Sequence, residues 1–207
     1  MEYVTRIVKE QVPRVKVIRD PNPDEPEFEL LTILHWHRRY MIHSDAECVD
    51  MSNYEADDDE ELGVDREHVL DRLASDHDLV IWWPLYMIDH GVVHVRLGEG
   101  FGCPWDSGQV GIVGFTVPQW RVFTQTEWVG HEKQKTQAFE MVKAMIETLD
   151  QYMNGDMYGF EVVDDDGEIE TSVWGFYGTD FDNGMSDHID EEWHECLREA
   201  LANPEEM

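Results

Sequence analysis

The chain has 207 residues, with 46 acidic side chains against 15 basic ones and a formal net charge of −31 at pH 7. Hydrophobic residues make up 42% of it and aromatic residues 11%, which supplies the material for a core and argues against wholesale disorder. The negative charge argues against direct binding to DNA, RNA or an anionic membrane, because phosphate contacts need a positive surface.

The location predicted from the sequence is the cytoplasm. The longest apolar run covers residues 80–88, which is too short to span a bilayer, and the N-terminal residues lack the apolar region of a signal peptide. The three cysteines, Cys48, Cys103 and Cys196, are odd in number and widely spaced, which is typical of reduced thiols rather than of a disulfide framework.

The predicted elements begin with an N-terminal arm. Residues 1–27 contain a strand-like stretch at 12–18 and then a proline-rich linker. Alternating residues between positions 31 and 38 predict a strand, the acidic stretch 44–63 predicts a loop, and a short helix is predicted at about 65–74.

The next stretch predicts sheet structure. Apolar segments at 80–88 and 92–97 flank Asp89-His90-Gly91, a hairpin signal, and Pro84 indicates an edge strand or a bulge. A further strand is predicted at 109–117, where Gly111 and Gly114 indicate close packing by a neighbour.

The remaining segments complete the predicted fold. A helix is predicted from Thr136, as its N-cap, to about Met153, followed by a hairpin of residues 157–163 and 169–177 and a last helix at 187–202. We therefore expect a single α+β domain over residues 28–207, in which two or three helices pack on an antiparallel sheet of about five or six strands.

The net charge is concentrated in two blocks. Residues 45–99 contain 16 acidic and three basic side chains, and residues 145–207 contain 19 acidic side chains and one arginine, whereas 1–43 and 100–144 are neutral. A single acidic run is usually a solvated surface, but the sum of these runs predicts acidic patches that bind a partner. The candidate contacts are Glu55, Asp57, Asp58, Asp59, Glu60, Glu61, Asp164, Asp165, Asp166, Glu168, Glu170, Asp180, Asp182, Asp187, Asp190, Glu191 and Glu192.

The most distinctive motif is the glycine-rich segment 100–111. Its glycines precede no helix or lysine, as a phosphate loop would require, and Cys103 and Ser107 lie in no known nucleophile motif. We interpret it as a structural turn in which Asp106 and Ser107 bond local backbone groups and Trp105 anchors the loop to the core. The turn consists of Cys103, Pro104, Trp105, Asp106, Ser107 and Gly108, and no catalytic residue is predicted.

The ten histidines raise the possibility of a metal site. The candidate groups are His35 with His37, His90 with His94, and His188 with His194 and Cys196. None has a closed ligand spacing, and the acidic segment 180–184 does not fit the register of an EF-hand loop. The sequence therefore predicts no metal site and no cofactor.

Three segments carry a resemblance to a known group of proteins. CPWDSGQVG at 103–111, ETLDQYMNGDMYGFEV at 147–162 and SVWGFYG at 172–178 together resemble a family of uncharacterised small acidic proteins that phages and plasmids encode. The resemblance covers roughly residues 78–182. It implies an origin in a mobile element and no established activity.

The leading functional hypothesis is a mobile-element inhibitor that mimics nucleic-acid charge and blocks a host defence enzyme of the restriction or CRISPR type. A net charge of −31 equals that of about 50 Å of duplex, or roughly 15 base pairs. A compact chain of this length is about 40 Å across, so one or two faces could approach the charge density of DNA. Trp120 or Trp128 would be the aromatic anchors.

Two other hypotheses remain open alongside a virion or structural role. The charge could be a solubility adaptation of the halophilic type with an unassigned function. Alternatively, the protein could be a metal-assisted enzyme, which requires that His90, His94, Cys103 and Asp106 converge in one pocket. The partner expected from the leading hypothesis is a basic nucleic-acid-binding host protein, and a dimer is compatible with the sequence.

Overall fold

The structure is a computed structural model that describes residues 14–55, 66–103, 105–164 and 166–205, without the side chain of Glu55. Several predicted contacts therefore lie outside the described residues: Asp57, Asp58, Asp59, Glu60, Glu61, Asp165, Pro104 and the side chain of Glu55. The chain divides into two compact units, one formed by residues 1–24 and 155–207 and the other by residues 25–154.

The unit of residues 25–154 is built around a five-stranded mixed sheet. Its strands are β2 Thr32–His35, β3 Glu47–Cys48, β4 Leu79–Asp89, β5 Val93–Leu97 and β6 Ser107–Thr116. They lie in the order β3-β2-β6-β4-β5, with β2 and β3 parallel and the other pairs antiparallel. Its helices are α1 Ser52–Glu55, α2 Arg66–Asp76, α3 Val117–Thr124 and α4 Glu132–Met153.

Side chains from helices cover both faces of this sheet. Helix α4 presents one apolar stripe at intervals of three or four residues, formed by Ala138, Val142, Ile146 and Leu149. This stripe belongs to a buried cluster with Val113 and Trp120. On strand β6 the neighbouring residue Ile112 belongs instead to a second cluster, with Leu70 and Leu73 of α2. Because successive residues of a strand point to opposite faces, β6 contributes to both clusters.

The other unit contains a three-stranded antiparallel sheet in the order β1-β7-β8. Its elements are β1 Val15–Arg19, β7 Met157–Val163, β8 Ile169–Tyr177 and helix α5 His194–Leu201. Helix α5 buries Leu197 and Leu201 against Val17 and Phe160 of the sheet. Strand β8 is an edge strand and most of its residues are exposed.

The predicted α+β class is confirmed, but the predicted single sheet and its element count are wrong. The described residues form eight strands in two sheets, together with five α-helices. The pairing of β1 with β7 joins segments about 140 residues apart, which local periodicity does not reveal. Helix α3 was missed because residues 109–117 were predicted as a strand, and its capping box, formed by Thr116 and Gln119, begins inside that predicted strand.

The predicted hairpins β4–β5 and β7–β8 are confirmed, whereas two helix boundaries differ from the prediction. Helix α4 begins at Glu132 with His131 as its N-cap, and the predicted cap Thr136 lies within the helix. The predicted last helix consists of two 3-10 turns, Met185–His188 and Glu191–Trp193, followed by α5. No described helix combines the length and the apolar character that crossing a bilayer requires.

Gly114 of β6 is predicted to be essential for the close approach of the neighbouring strand β4. A Cβ at Gly114 would overlap the carbonyl oxygen of Ile81, whereas one at Gly108 of the same strand would meet nothing within 4 Å. We expect Gly114→Ala to lower the free energy of unfolding by about 1–3 kcal/mol. The matched change Gly108→Ala should stay within about 0.5 kcal/mol of the parent protein in urea denaturation. Equal effects of the two changes would contradict the packing described at Gly114.

Candidate functional site

Three side chains of different chemistry meet where β4 ends and β6 begins. His90 follows the last residue of β4, and Asp106 precedes the first residue of β6. The antiparallel register places Ile88 opposite Ser107, and the backbone N–H of Asp89 donates to the carbonyl oxygen of Asp106 over 2.9 Å. Strand pairing therefore fixes His90 and Asp106 side by side.

The loop before β6 adds Cys103 to this pair. The hydroxyl of Ser107 donates a hydrogen bond to the carbonyl oxygen of Cys103, which ties the loop back to the start of the strand. The Cys103 Sγ lies 3.6 Å from His90 Nε2 and 3.6 Å from Asp106 Oδ2. His90 Nε2 lies 3.0 Å from the same carboxylate oxygen. Across the described ranges, this is the one group of three His, Cys, Asp or Glu side chains close enough to share a metal ion.

The electrostatics of this site favour a charge-separated pair. The pKa of the Cys103 thiol is lowered mainly by its hydrogen bond with His90. The backbone N–H groups of Trp105 and Asp106 lower this pKa further. The hydrogen bond with Cys103 and then the charge of Asp106 raise the pKa of His90. The thiolate form of Cys103 and the imidazolium form of His90 therefore stabilise each other.

The arrangement differs from that of a nucleophilic triad. In such a triad the acid binds one ring nitrogen of the histidine and the nucleophile faces the other. Here both the Cys103 sulfur and the Asp106 oxygen face Nε2 of His90. The three donor atoms converge on one point rather than forming a relay, and sulfur, nitrogen and oxygen donors of these types are the ligands that zinc takes in proteins.

The structure confirms one part of the predicted turn and contradicts another. Ser107 bonds a local backbone carbonyl as predicted. Trp105 does not anchor the loop, because its side chain is 91% exposed. The carboxylate of Asp106 faces His90 and Cys103 rather than a backbone group, although backbone groups of this residue do join the turn to β4.

The enzyme hypothesis required four side chains to converge, and three of them do. The fourth, His94, contacts α4, where its Nδ1 lies 3.1 Å from Asp150 Oδ2. His94 and Asp150 line a separate groove of about 740 Å³ together with Lys143 and Glu147. The sequence analysis named these three residues together only in the enzyme alternative, and among the histidine groups it paired His90 with His94 instead.

Among the described residues, the other predicted histidine groups do not form a three-residue ligand cluster. His35 is buried, and burial lowers its pKa, so that its neutral form is favoured. His37 Nδ1 accepts a hydrogen bond from the backbone N–H of Tyr40, and His194 lies 3.2 Å from the carbonyl oxygen of Ser186. The three cysteines form no disulfide with one another.

The described acidic candidates flank the middle of strand β8 along the chain. One group surrounds the β7–β8 turn, and the other follows the last residue of β8. The first group is Asp164, Asp166, Glu168 and Glu170, and the second is Asp180, Asp182, Asp187, Asp190, Glu191 and Glu192. All of them are exposed except Asp164, whose carboxylate accepts the backbone N–H groups of Asp166 and Glu168. These hydrogen bonds lower the pKa of Asp164 and hold the turn.

Comparisons with known proteins gave no relative from which a function could be transferred. No protein-family model matches the chain, and searches of curated proteins and of solved structures gave no match. The functional argument therefore rests on the residues and their geometry.

The hydrogen bond from His90 predicts a shift in the reactivity of Cys103. In a Cys48→Ser, Cys196→Ser background with EDTA, iodoacetamide reacts with Cys103 alone, and the rate follows the thiolate fraction. Because His90 lowers the thiol pKa, we expect the midpoint of the rate profile below the value of about 8.5 for a free cysteine. His90→Gln should move the midpoint upward, and His68→Gln on helix α2 should leave it unchanged. An unshifted midpoint in His90→Gln would refute this interaction.

Proposed function

We propose that the protein is an inhibitor encoded by a phage or another mobile element, and that it acts in the host cytoplasm. It mimics the charge of nucleic acid and blocks a DNA- or RNA-binding defence enzyme of the restriction or CRISPR type. The observation that carries this proposal is the concentration of exposed carboxylates in the segments that flank the middle of strand β8 along the chain. We call these residues the acidic strip: Asp166, Glu168, Glu170, Asp180, Asp182, Asp187, Asp190, Glu191 and Glu192.

The length of strand β8, which separates Glu168 from Asp180 along the chain, is comparable to that of a short nucleic-acid segment. Ile169 at one end of β8 lies opposite Val163, and Tyr177 at the other end lies opposite Met157. Eight steps of about 3.3 Å separate the two ends, which gives about 26 Å. This distance corresponds to roughly eight base pairs of duplex at about 3.4 Å each.

Most of the carboxylates of the strip have no basic partner among the described residues, although Arg14 lies close enough to the adjoining turn to contribute to the lowered pKa of Asp164. Over the ranges that the structure describes, the carboxylates from Asp166 to Glu192 in the strip form no ion pair with a basic side chain. The ion pair of this region joins Arg198 to Glu195, outside the strip. Exposed, unpaired carboxylates attract counterions, and the release of those counterions to a basic surface would favour association, as it does for DNA.

The aromatic anchor proposed for the partner is Trp174 rather than the two tryptophans expected from the sequence. Trp120 is fully buried and packs edge-on against Trp128, so Trp120 cannot reach a partner. Trp174 lies on β8 between the two acidic groups and is 38% exposed. Its indole N–H donates to Ser172 Oγ over 2.8 Å, which orients the ring. A positioned aromatic ring within a charged surface is typical of a binding hot spot.

The decisive experiment is capture of the target and its displacement by nucleic acid. Tagged protein is incubated with host lysate in moderate salt, and bound proteins are eluted with excess duplex DNA and identified. We expect a nuclease or restriction enzyme whose DNA cleavage the protein then inhibits in competition with DNA. If a folded sample captures nothing and multimolar KCl strongly stabilises it, acidic adaptation is the better explanation of the charge.

Neutralising the acidic strip should weaken this interaction more than an equal change elsewhere. The test variant is Glu170→Gln, Glu191→Gln, Glu192→Gln, and the matched control is Glu29→Gln, Glu99→Gln, Glu140→Gln, which also removes three exposed carboxylates. At roughly 0.5 kcal/mol for each exposed charge pair, we expect about a tenfold higher Kd for the strip variant alone. Equal weakening of both variants would show that net charge, not the strip, drives binding.

A further inference from the structure

The donor atoms of His90, Cys103 and Asp106 are spaced like the ligands of a single zinc ion. Bond lengths to zinc of about 2.3 Å for sulfur and about 2.0–2.2 Å for nitrogen and oxygen place tetrahedral ligands about 3.4–3.6 Å apart. The distances from Cys103 Sγ to His90 Nε2 and Asp106 Oδ2 are both 3.6 Å. The third distance, between Nε2 and Oδ2, is 3.0 Å, which requires a narrower angle between those two ligands.

We propose that this chain binds one zinc ion through His90 Nε2, Cys103 Sγ and Asp106 Oδ2. A thiolate with an imidazole is a poor ligand set for calcium or magnesium, which take oxygen ligands, and a good one for zinc. The thiolate and the carboxylate together neutralise the charge of the ion, and the imidazole binds in its neutral form. The net charge of −31 also raises the concentration of cations near the protein.

The site is held in place by the fold rather than by the ion. Asp89 N–H bonds Asp106 O across the β4–β6 pair, and Ser107 holds the carbonyl oxygen of Cys103. Because these contacts orient the ligands independently of any metal, the ion would bind to a preformed set of donors.

The coordination leaves one position open. Three protein ligands bind a zinc ion that keeps a water or another small ligand in its fourth position, unlike a closed structural site with four protein ligands. The side chains of His90 and Asp106 are 62% and 44% exposed, so water reaches the site. Asp106 and Trp105 also line a groove of about 410 Å³, from which a small ligand could approach the ion. This inference does not depend on the inhibitor function proposed above.

Metal titration of the full-length protein tests the site. Zn²⁺ is titrated against a chromophoric chelator in buffer with excess Mg²⁺, which occupies weak carboxylate sites, and Co²⁺ serves as the spectroscopic probe. We expect one tight Zn²⁺ per chain and, with Co²⁺, a thiolate-to-metal charge-transfer band together with the intense visible bands of four-coordination. Cys103→Ser should abolish the charge-transfer band. Cys103→Ser and His90→Asn each remove a direct ligand of the ion. Each should therefore raise the Kd for zinc by more than the roughly 10–100-fold that is typical when a residue supporting a ligand is lost.

The controls use the same residue types in the same unit. Cys48→Ser and His68→Asn change exposed side chains outside the site and should leave stoichiometry, affinity and the cobalt spectrum unchanged. Circular dichroism and thermal melting of the metal-free proteins separate loss of ligands from loss of fold. The proposal is overturned if folded parent protein binds no stoichiometric Zn²⁺, or if folded Cys103→Ser and His90→Asn bind it as tightly as the parent does.

Discussion

The antiparallel pairing of β4 with β6 is the constraint on which the larger unit depends. Its register places Ile112 opposite Pro84 and Val113 opposite Trp83, and these neighbouring residues enter the two different core clusters. A slip of one residue would exchange the faces of the whole strand, so that each set of apolar side chains would face the other cluster and lose its own packing. The pairing shifts by one residue between Leu85 and Tyr86, and the shifted register determines which side chains meet at the end of the strands. One strand pair therefore organises both the core and the candidate site.

The sequence predicts local structure well where a periodic segment and the turn next to it are enough to identify an element. The bounds of β7 and β8 agree with the alternating segments on either side of the Asp164–Gly167 turn. The start of α4 was not predicted because its cap is His131, an imidazole rather than one of the usual oxygen-bearing caps. The candidate site was only one alternative in the sequence analysis, for another reason: His90 and Cys103 are brought together by strand register, which spacing along the chain does not show. The sequence therefore offered the right residue types, but it could not separate Cys103 and Asp106 from His94 as the partners of His90.

Net charge overstates the surface available to a partner, because several carboxylates already have structural roles. Asp150 accepts the backbone N–H of Val95 over 2.8 Å and faces His94, and Asp164 closes the turn between β7 and β8. Asp89 accepts the hydroxyl of Tyr40 over 2.9 Å. Carboxylates that accept hydrogen bonds within the fold are fixed in direction and partly desolvated. The remaining exposed carboxylates are therefore the better candidates for attracting a basic partner at long range.

The pairing of β1 with β7 also has a consequence for synthesis on the ribosome. Val17 lies opposite Phe160, so about 140 residues must be made after β1 before its partner strand exists. At translation rates of about 5–20 residues per second, this interval is roughly 7–28 s. All the strands of the five-stranded sheet fall within this interval, so that sheet can form while β1 is still without its partner. During that time the apolar face of β1, with Val15 and Val17, is a segment that a chaperone would recognise.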